Sequence, residues 1–346
     1  GAWGVMNAPL GQDAAHCRFF MPDPWSFDEG PVPIKNEGLL ALPRYVAQNY
    51  GQIDRAKAAW KAVQFATSLL RPDVLPVVPR FTMNALAAPG WAPSIDGFAS
   101  LLDYLSARIF SDLLKKHRPA FSIVFINTVA HLQHHHWQRG AMHPEMRFGL
   151  QLVDEGLGYI LKTLEPDDGL VVMNALKQKN VEKGGFHCYR QLQPEDAVRR
   201  MGLAPRRVEQ CMTNDSHLFF DRAEDAKVAL QTLKEARLDD GSTPFYAELE
   251  DASRVFYQVV CEHALPPGVR LHVGGKVVDF FEIFAHVCER TGAHVPEGDV
   301  YSRNIEVPSR LLNHKMFDIF LGFHGLERPS TSVEQQPIIE QTQAVS

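Results

Sequence analysis

The chain has no closely spaced cysteines. Cys17, Cys188, Cys211, Cys261 and Cys288 are odd in number, far apart and form no Cys-x-x-Cys pair, which argues against a zinc ribbon and against a disulfide framework. A reducing cytoplasm is the expected compartment. There is no apolar run of the roughly 18 residues that a bilayer requires, and the opening "GAWGVMNAPLG" has neither the basic segment nor the long apolar core of a signal peptide. A membrane span is therefore not expected. Basic blocks are missing too: 35 Lys and Arg against 41 Asp and Glu leave a net charge of −6, the wrong balance for tracking a phosphate backbone. Nucleic acid is excluded as the first partner. No Gly-x-Ser-x-Gly elbow occurs, and the Gly-Gly-Lys of "LHVGGKVVD" lacks the spacer and hydroxyl residue of a phosphate loop, so it reads as a hairpin turn.

What is present is 346 residues, 45% of them apolar, enough to bury the core of one large domain or two ordinary ones. Helical spacing runs through residues 39–50, 53–70 and 98–117, the last with Leu101, Leu105, Ile109 and Leu113 on one stripe. The intervening 71–97 is broken by prolines and reads as irregular, and "MPDPWSFDEGPVPIKNEG" reads as a shaped loop. "FSIVFIN" is a continuous apolar run, as expected of a parallel strand covered on both faces. A helix over 143–164 and a second run, "LVVMNA", complete a strand-helix-strand unit with Asn127 and Asn174 at the carboxyl ends of its strands. Residues 205–275 read as a mixed subregion, with strands in "RVEQCM", "HLFFD", "SRVFYQVV" and "VRLHV" around a helix at 222–237. Residues 277–290 and 309–323 read as amphipathic helices, and 326–346 as a polar tail.

The densest chemistry lies in "FSIVFINTVAHLQHHHWQRG". Imidazole is a common ligand for zinc, manganese and iron. His131 falls one helical turn after Asn127, which would bring the two side chains to one face. Adjacent histidines point different ways, so at most two of His131, His134, His135 and His136 are expected to converge on one ion. The run from His134 to His136 then reads as a loop shaping a cleft, with His134 and His135 as substrate contacts. After the second strand, Lys177, Lys179, Lys183 and Arg190 could hold an anionic group or be simply solvated, and Gln178 offers an amide that binds without a metal.

"FINTVAHLQHHHW", "VDEGLGYILKTLEPDDGLVVMNA" and "RTGAHVPEGDVYS" occur in that order. Together they resemble the core of the alkaline phosphatase superfamily, in its type I phosphodiesterase and nucleotide pyrophosphatase branch. The resemblance implies an α/β fold with a mostly parallel central sheet, helices on both faces and a smaller mixed α+β subregion, all within one domain over 1–325. It implies a metal site of Asn127, His131 and His294, with Asn127 standing where the family has Asp. Asn174 and Ala175 replace the Asp-His of the second metal site, leaving His131, Asn174 and Gln178 as catalytic candidates. Asp23 in "MPDPWSFDEG" matches a Val-Pro-Asp-Thr type loop and is assigned to substrate, together with Lys177, Lys179, His134 and His135. The family's first strand, first Asp and Ser or Thr nucleophile have no counterpart in this sequence.

Three functions follow as expectations. One is a divergent phosphodiesterase or phosphotransferase acting on a nucleotide- or sugar-linked phosphate with at most one divalent ion, zinc or manganese. The second is a transferase that uses an anionic donor and no metal. The third is a non-catalytic binding or assembly protein. A homo-oligomer is compatible with each.

Overall fold

The computed structural model describes residues 3–7, 17–24, 37–49, 53–72, 74–87, 95–137, 142–174, 176–181, 187–211, 214–261 and 263–328. Strands β1 (Trp3–Met6) and β2 (Cys17–Met21) precede helices α1 (Glu37–Gln48), α2 (Arg55–Ala66), α3 (Val77–Ala87) and α4 (Ile95–His117). Strand β3 (Phe121–Val124) leads into α5 (Thr128–His136) and α6 (Pro144–Leu161), then β4 (Leu170–Met173) and β5 (Lys177–Asn180). The later half runs β6 (His187–Gln191), α7 (Pro194–Arg200), β7 (Arg207–Gln210), β8 (Asp215–Phe219), α8 (Ala223–Glu235) and β9 (Arg237–Leu238). It continues with β10 (Phe245–Asp251), β11 (Arg254–Val259), β12 (Arg270–Val273), β13 (Lys276–Asp279), β14 (Phe284–Glu289), β15 (Gly292–Val295), β16 (Val300–Arg303) and α9 (Met316–Phe323).

The chain divides into two compact units, Gly1–Leu164 with Gln178–Ala293, and Glu165–Lys177 with His294–Ser346. Within the first unit one core gathers on α4, whose buried Leu101, Leu102, Leu105, Ile109 and Phe110 lie against the sheet residues Met6, Phe19 and Met21 and against Phe148 and Leu152 of α6. Apolar residues three and four apart make the stripe that this burial requires. α4 and α6 approach closely at Gly156, where a Cβ would sit 3.0 Å from that of Ala107. A second core in the same unit fills the space around the antiparallel sheet β10-β11-β8-β7 and α8, with Leu218, Leu233, Val255, Tyr257, Phe280 and Phe284 buried. At its polar heart the Gln191 amide donates to Ser216 Oγ at 3.0 Å and to the Tyr257 hydroxyl.

The expected large, mostly parallel central sheet is not formed. Among the described residues the sheets have two to four strands and are mostly antiparallel; the parallel one, β2-β1-β3, has three. β4, expected as the next parallel strand, pairs antiparallel with β16 in the second unit. β3 is not covered on both faces either: Ile123 is 43% exposed, and Phe125, just after the strand, 48%. The helix expected over 277–290 is instead β13, a short 3-10 turn and β14. Residues 71–97 contain α3 and the start of α4, and the helix expected over 309–323 shrinks to α9 after a 3-10 turn. The hairpin expected at Gly-Gly-Lys is present between β12 and β13, with Gly274 and Gly275 both at positive φ, 56° and 74°, as a two-residue hairpin turn demands. No helix among the described residues is long and apolar enough to cross a membrane.

α5 is seated by a close approach to α6. A Cβ on Gly149 would run into Leu132 Cδ1 and lie 2.9 Å from Ser100 Oγ and 3.0 Å from Thr128. Gly149→Ala should therefore cost about 1–3 kcal/mol, the usual penalty for overpacking, and thermal melting will show it as a lower Tm. An unchanged Tm would mean that α5 yields without resistance.

Candidate metal centre

α5 starts where β3 ends and is only nine residues long, too short to hold itself together in water. Asn127, at its N-cap, makes no side-chain cap. The cap is provided by α4: Asp103 Oδ2 accepts from Asn127 N at 2.7 Å, Thr128 N at 2.7 Å and Thr128 Oγ1 at 2.8 Å. The other end is tied by residues following β14, where Thr291 N donates to His134 O at 2.6 Å and Trp137 N donates to Thr291 Oγ1 at 2.9 Å.

On a helix held this way, His131 and His135 lie one turn apart, with ring centroids separated by 4.4 Å. Both turn toward Asp96, in the first turn of α4. Asp96 Oδ1 is 2.6 Å from His131 Nε2 and 2.7 Å from His135 Nδ1, and Oδ2 is 2.7 Å from His136 Nε2. The ring of His136 stacks on His143 at 4.3 Å. Burial alone would raise the Asp96 carboxyl, but the three imidazoles against it outweigh that and hold it well below the usual carboxylate range. Burial, and next the neighbouring His136, lower the His143 imidazole below its ordinary value.

Two imidazole nitrogens thus crowd a single carboxylate oxygen, and one is poorly served. His131 Nε2 is buried and has no well-directed hydrogen bond despite its closeness to Asp96. Among the described residues, Asp96, His131 and His135 form the one group of three potential metal ligands whose ligand atoms lie within 4.8 Å of one another. Two neutral imidazoles and a carboxylate are a ligand set that zinc, manganese and iron accept. Tetrahedral zinc with bonds of about 2.0 Å separates its ligands by about 3.3 Å, so an ion would require these side chains to open by roughly 0.6 Å from their present contacts.

Of the two histidines expected as metal ligands, His131 is in this group and His294 is not. Asn127 serves the helix start through its backbone, and His294 is exposed on β15 in the second unit. His135, expected as a substrate contact, is a potential ligand. All four histidines lie on a helix rather than a loop, and three of them meet one carboxylate although only two share the potential ion site. His134 points elsewhere: its Nδ1 is 2.9 Å from Gly292 O and its Nε2 3.2 Å from Gln178 Nε2. With Gln178 as donor, the neutral Nδ1–H tautomer satisfies both contacts. Gln178 also donates to Ala130 O at 3.0 Å, so it braces α5.

Asn174 is exposed and accepts from Asp299 N at 2.5 Å, and Lys177 is paired with Asp299 at 2.8 Å, which raises its pKa; both contacts lie in the second unit. Lys179 is exposed and Asp23 half-buried. Ala175 and Lys183 lie outside the described residues. Asp96 was not legible in advance: it sits in the proline-broken segment, 39 and 40 residues from His135 and His136. A second feature missed is Asn7, at the end of β1, buried, at φ 56°, with both side-chain polar atoms unpaired. Searches of protein-family models, of curated proteins and of solved structures find nothing that matches this chain.

Proposed function

We propose that this chain is a metal-assisted phosphoester hydrolase or phosphotransferase with one divalent ion, zinc or manganese, held by Asp96, His131 and His135. One observation carries the reading: a buried carboxylate oxygen and two imidazole nitrogens converge, one of those nitrogens lacking a well-directed bond. Three protein ligands leave a position for water or substrate, where a bound ion lowers the pKa of water and polarises a phosphoryl oxygen. His136, bonded to the other Asp96 oxygen and stacked on His143, would be the residue to hold a proton in that reaction. The likeness of "FINTVAHLQHHHW" to a phosphodiesterase ligand loop supplies the substrate class; the fold does not.

The 2.7 Å contacts of His135 and His136 with Asp96 are also those of charge-assisted hydrogen bonds. They favour, as the second reading, a metal-free transferase in which histidines held by Asp96 act as acid and base. Calorimetric titration of the dialysed full chain with zinc and with manganese separates the two. One ion per chain is expected, with turnover of a nitrophenyl phosphodiester that chelation and His131→Ala abolish. Turnover that survives exhaustive chelation would transfer the case to the second reading. Absence of both binding and turnover across a panel of phosphate esters would leave a non-catalytic protein.

A further inference from the structure

Cys188 and Cys288 are a hundred residues apart in sequence, yet the antiparallel register of β6 and β14 sets them directly opposite each other, just past a bulge between His286 and Cys288. Directly opposed residues in such a ladder have Cα atoms about 4.5 or 5.5 Å apart, and a disulfide accepts about 4.4–6.8 Å. The strands therefore bring the two sulfurs within bonding reach without moving the backbone. Both thiols are free, and they are hydrogen-bonded to each other. Cys188 is fully buried, whereas Cys288 is half-buried.

The pair is also polarised. The hydrogen bond from Cys288, helped by the Arg290 guanidinium and against the effect of burial, lowers the Cys188 thiol. The same hydrogen bond raises Cys288, with burial and the charges of Cys188 and Asp96 adding to it. Burial pushes the thiols of Cys211 and Cys261 up as well, each to about 12.

We propose that Cys188 and Cys288 are a redox-active dithiol that closes to a disulfide by exchange with a low-molecular-weight disulfide, and that closure stiffens the strand that ties down the histidine helix. In the first step the Cys288 sulfur attacks one sulfur of the reagent while its proton passes along the hydrogen bond to Cys188, whose own proton has gone to solvent; a mixed disulfide forms and one reagent thiolate departs to take up a proton from solvent. Cys188 then attacks the Cys288 sulfur, the second reagent thiol departs, and its proton comes from Cys188. Two protein thiols are oxidised and one reagent disulfide is reduced to two thiols. The link to the helix is short. Thr291 and Gly292, soon after Cys288, hold the carbonyls of Gln133 and His134 and the His134 ring. This proposal is independent of whether the cluster binds an ion.

The test is to incubate the full chain with oxidised glutathione and map its peptides by mass. The expected product has lost two hydrogens, carries a Cys188–Cys288 link and keeps Cys17, Cys211 and Cys261 as thiols. Cys188→Ser should accumulate one glutathione adduct at Cys288, and Cys288→Ser should accumulate none at Cys188. Amide hydrogen exchange over residues 131–137 should slow on oxidation of the unsubstituted chain and recover with reductant. Five thiols still free in a large excess of reagent, or a bond between any other pair, would overturn the dithiol. A 188–288 bond with unchanged exchange in the helix would overturn its coupling to the histidines.

Discussion

On the function proposed above, Asp96→Asn lowers the affinity of the chain for zinc by on the order of 10²-fold, and phosphodiester turnover falls with it. A four-ligand zinc site is worth about 10–16 kcal/mol in all, so each ligand contributes about 3 kcal/mol, or roughly 10²-fold. Asp96 carries the charge of the site, since both partners in the group are imidazoles. Asparagine keeps the size of the side chain and one acceptor oxygen, which lets it hold one of the imidazoles now bonded to the carboxylate. The fold should therefore survive, and a circular dichroism melt close to that of the parent chain is the control. His131→Ala should weaken binding to a similar degree, whereas Asn127→Ala should not, because Asn127 is engaged through its backbone N–H, which donates to Asp103. Equal zinc affinity in Asp96→Asn and the parent chain, measured by competition with a coloured chelator, would falsify the assignment of this cluster as the ion's seat.

The difference between Asp96 and Asn127 also shows where sequence reading stops. His131 stood out because it follows an apolar strand at helical spacing from Asn127, and that spacing is real: His131 N donates to Asn127 O at 2.9 Å. What spacing cannot give is the partner from another element. Asp96 reaches the histidines only because α4 packs beside α5, a tertiary fact with no local signature. The same limit explains the fold. α4 and α6 were legible because their buried residues repeat at three and four. α3 was hidden by Pro76 and Pro79, although a proline in the first turn removes no intrahelical bond. Residues 277–290 carry apolar residues at spacings a helix would also accept, but pairing of β13 with β12 and of β14 with β6 decided the outcome. Continuous apolar runs in "FSIVFIN" and "LVVMNA" suggested one parallel sheet, and their partners turned out to be β1 for the first and β16 for the second.

The second large effect belongs to Asp103, which holds α5 in place without touching the ion site. Asp103→Ala removes the acceptor for two backbone N–H groups and a hydroxyl at a buried helix start. Each unsatisfied buried donor costs about 1–3 kcal/mol, so a total loss of about 3 kcal/mol or more is expected in denaturant unfolding at neutral pH, with fraying of the turn that carries His131. Asp103→Asn retains an acceptor and should lose less, and it isolates the pH dependence. Burial raises the Asp103 carboxyl to about 6 from 3.8, against the pull of its Thr128 and Asn127 donors and of charge on His131. An acid whose folded pKa is raised keeps its proton longer in the folded than in the unfolded chain. Its contribution to stability is greatest below pH 4 and is lost as pH rises through about 6. A rise from 3.8 to about 6 makes that loss about 3 kcal/mol, since a tenfold change in proton affinity is worth about 1.4 kcal/mol. The asparagine variant has no such titration, so between pH 4 and pH 7 the stability difference should move by most of that amount, about 2 kcal/mol, in its favour. A difference that stays constant, or moves toward the parent chain, would mean that the three donors compensate the buried carboxylate in full.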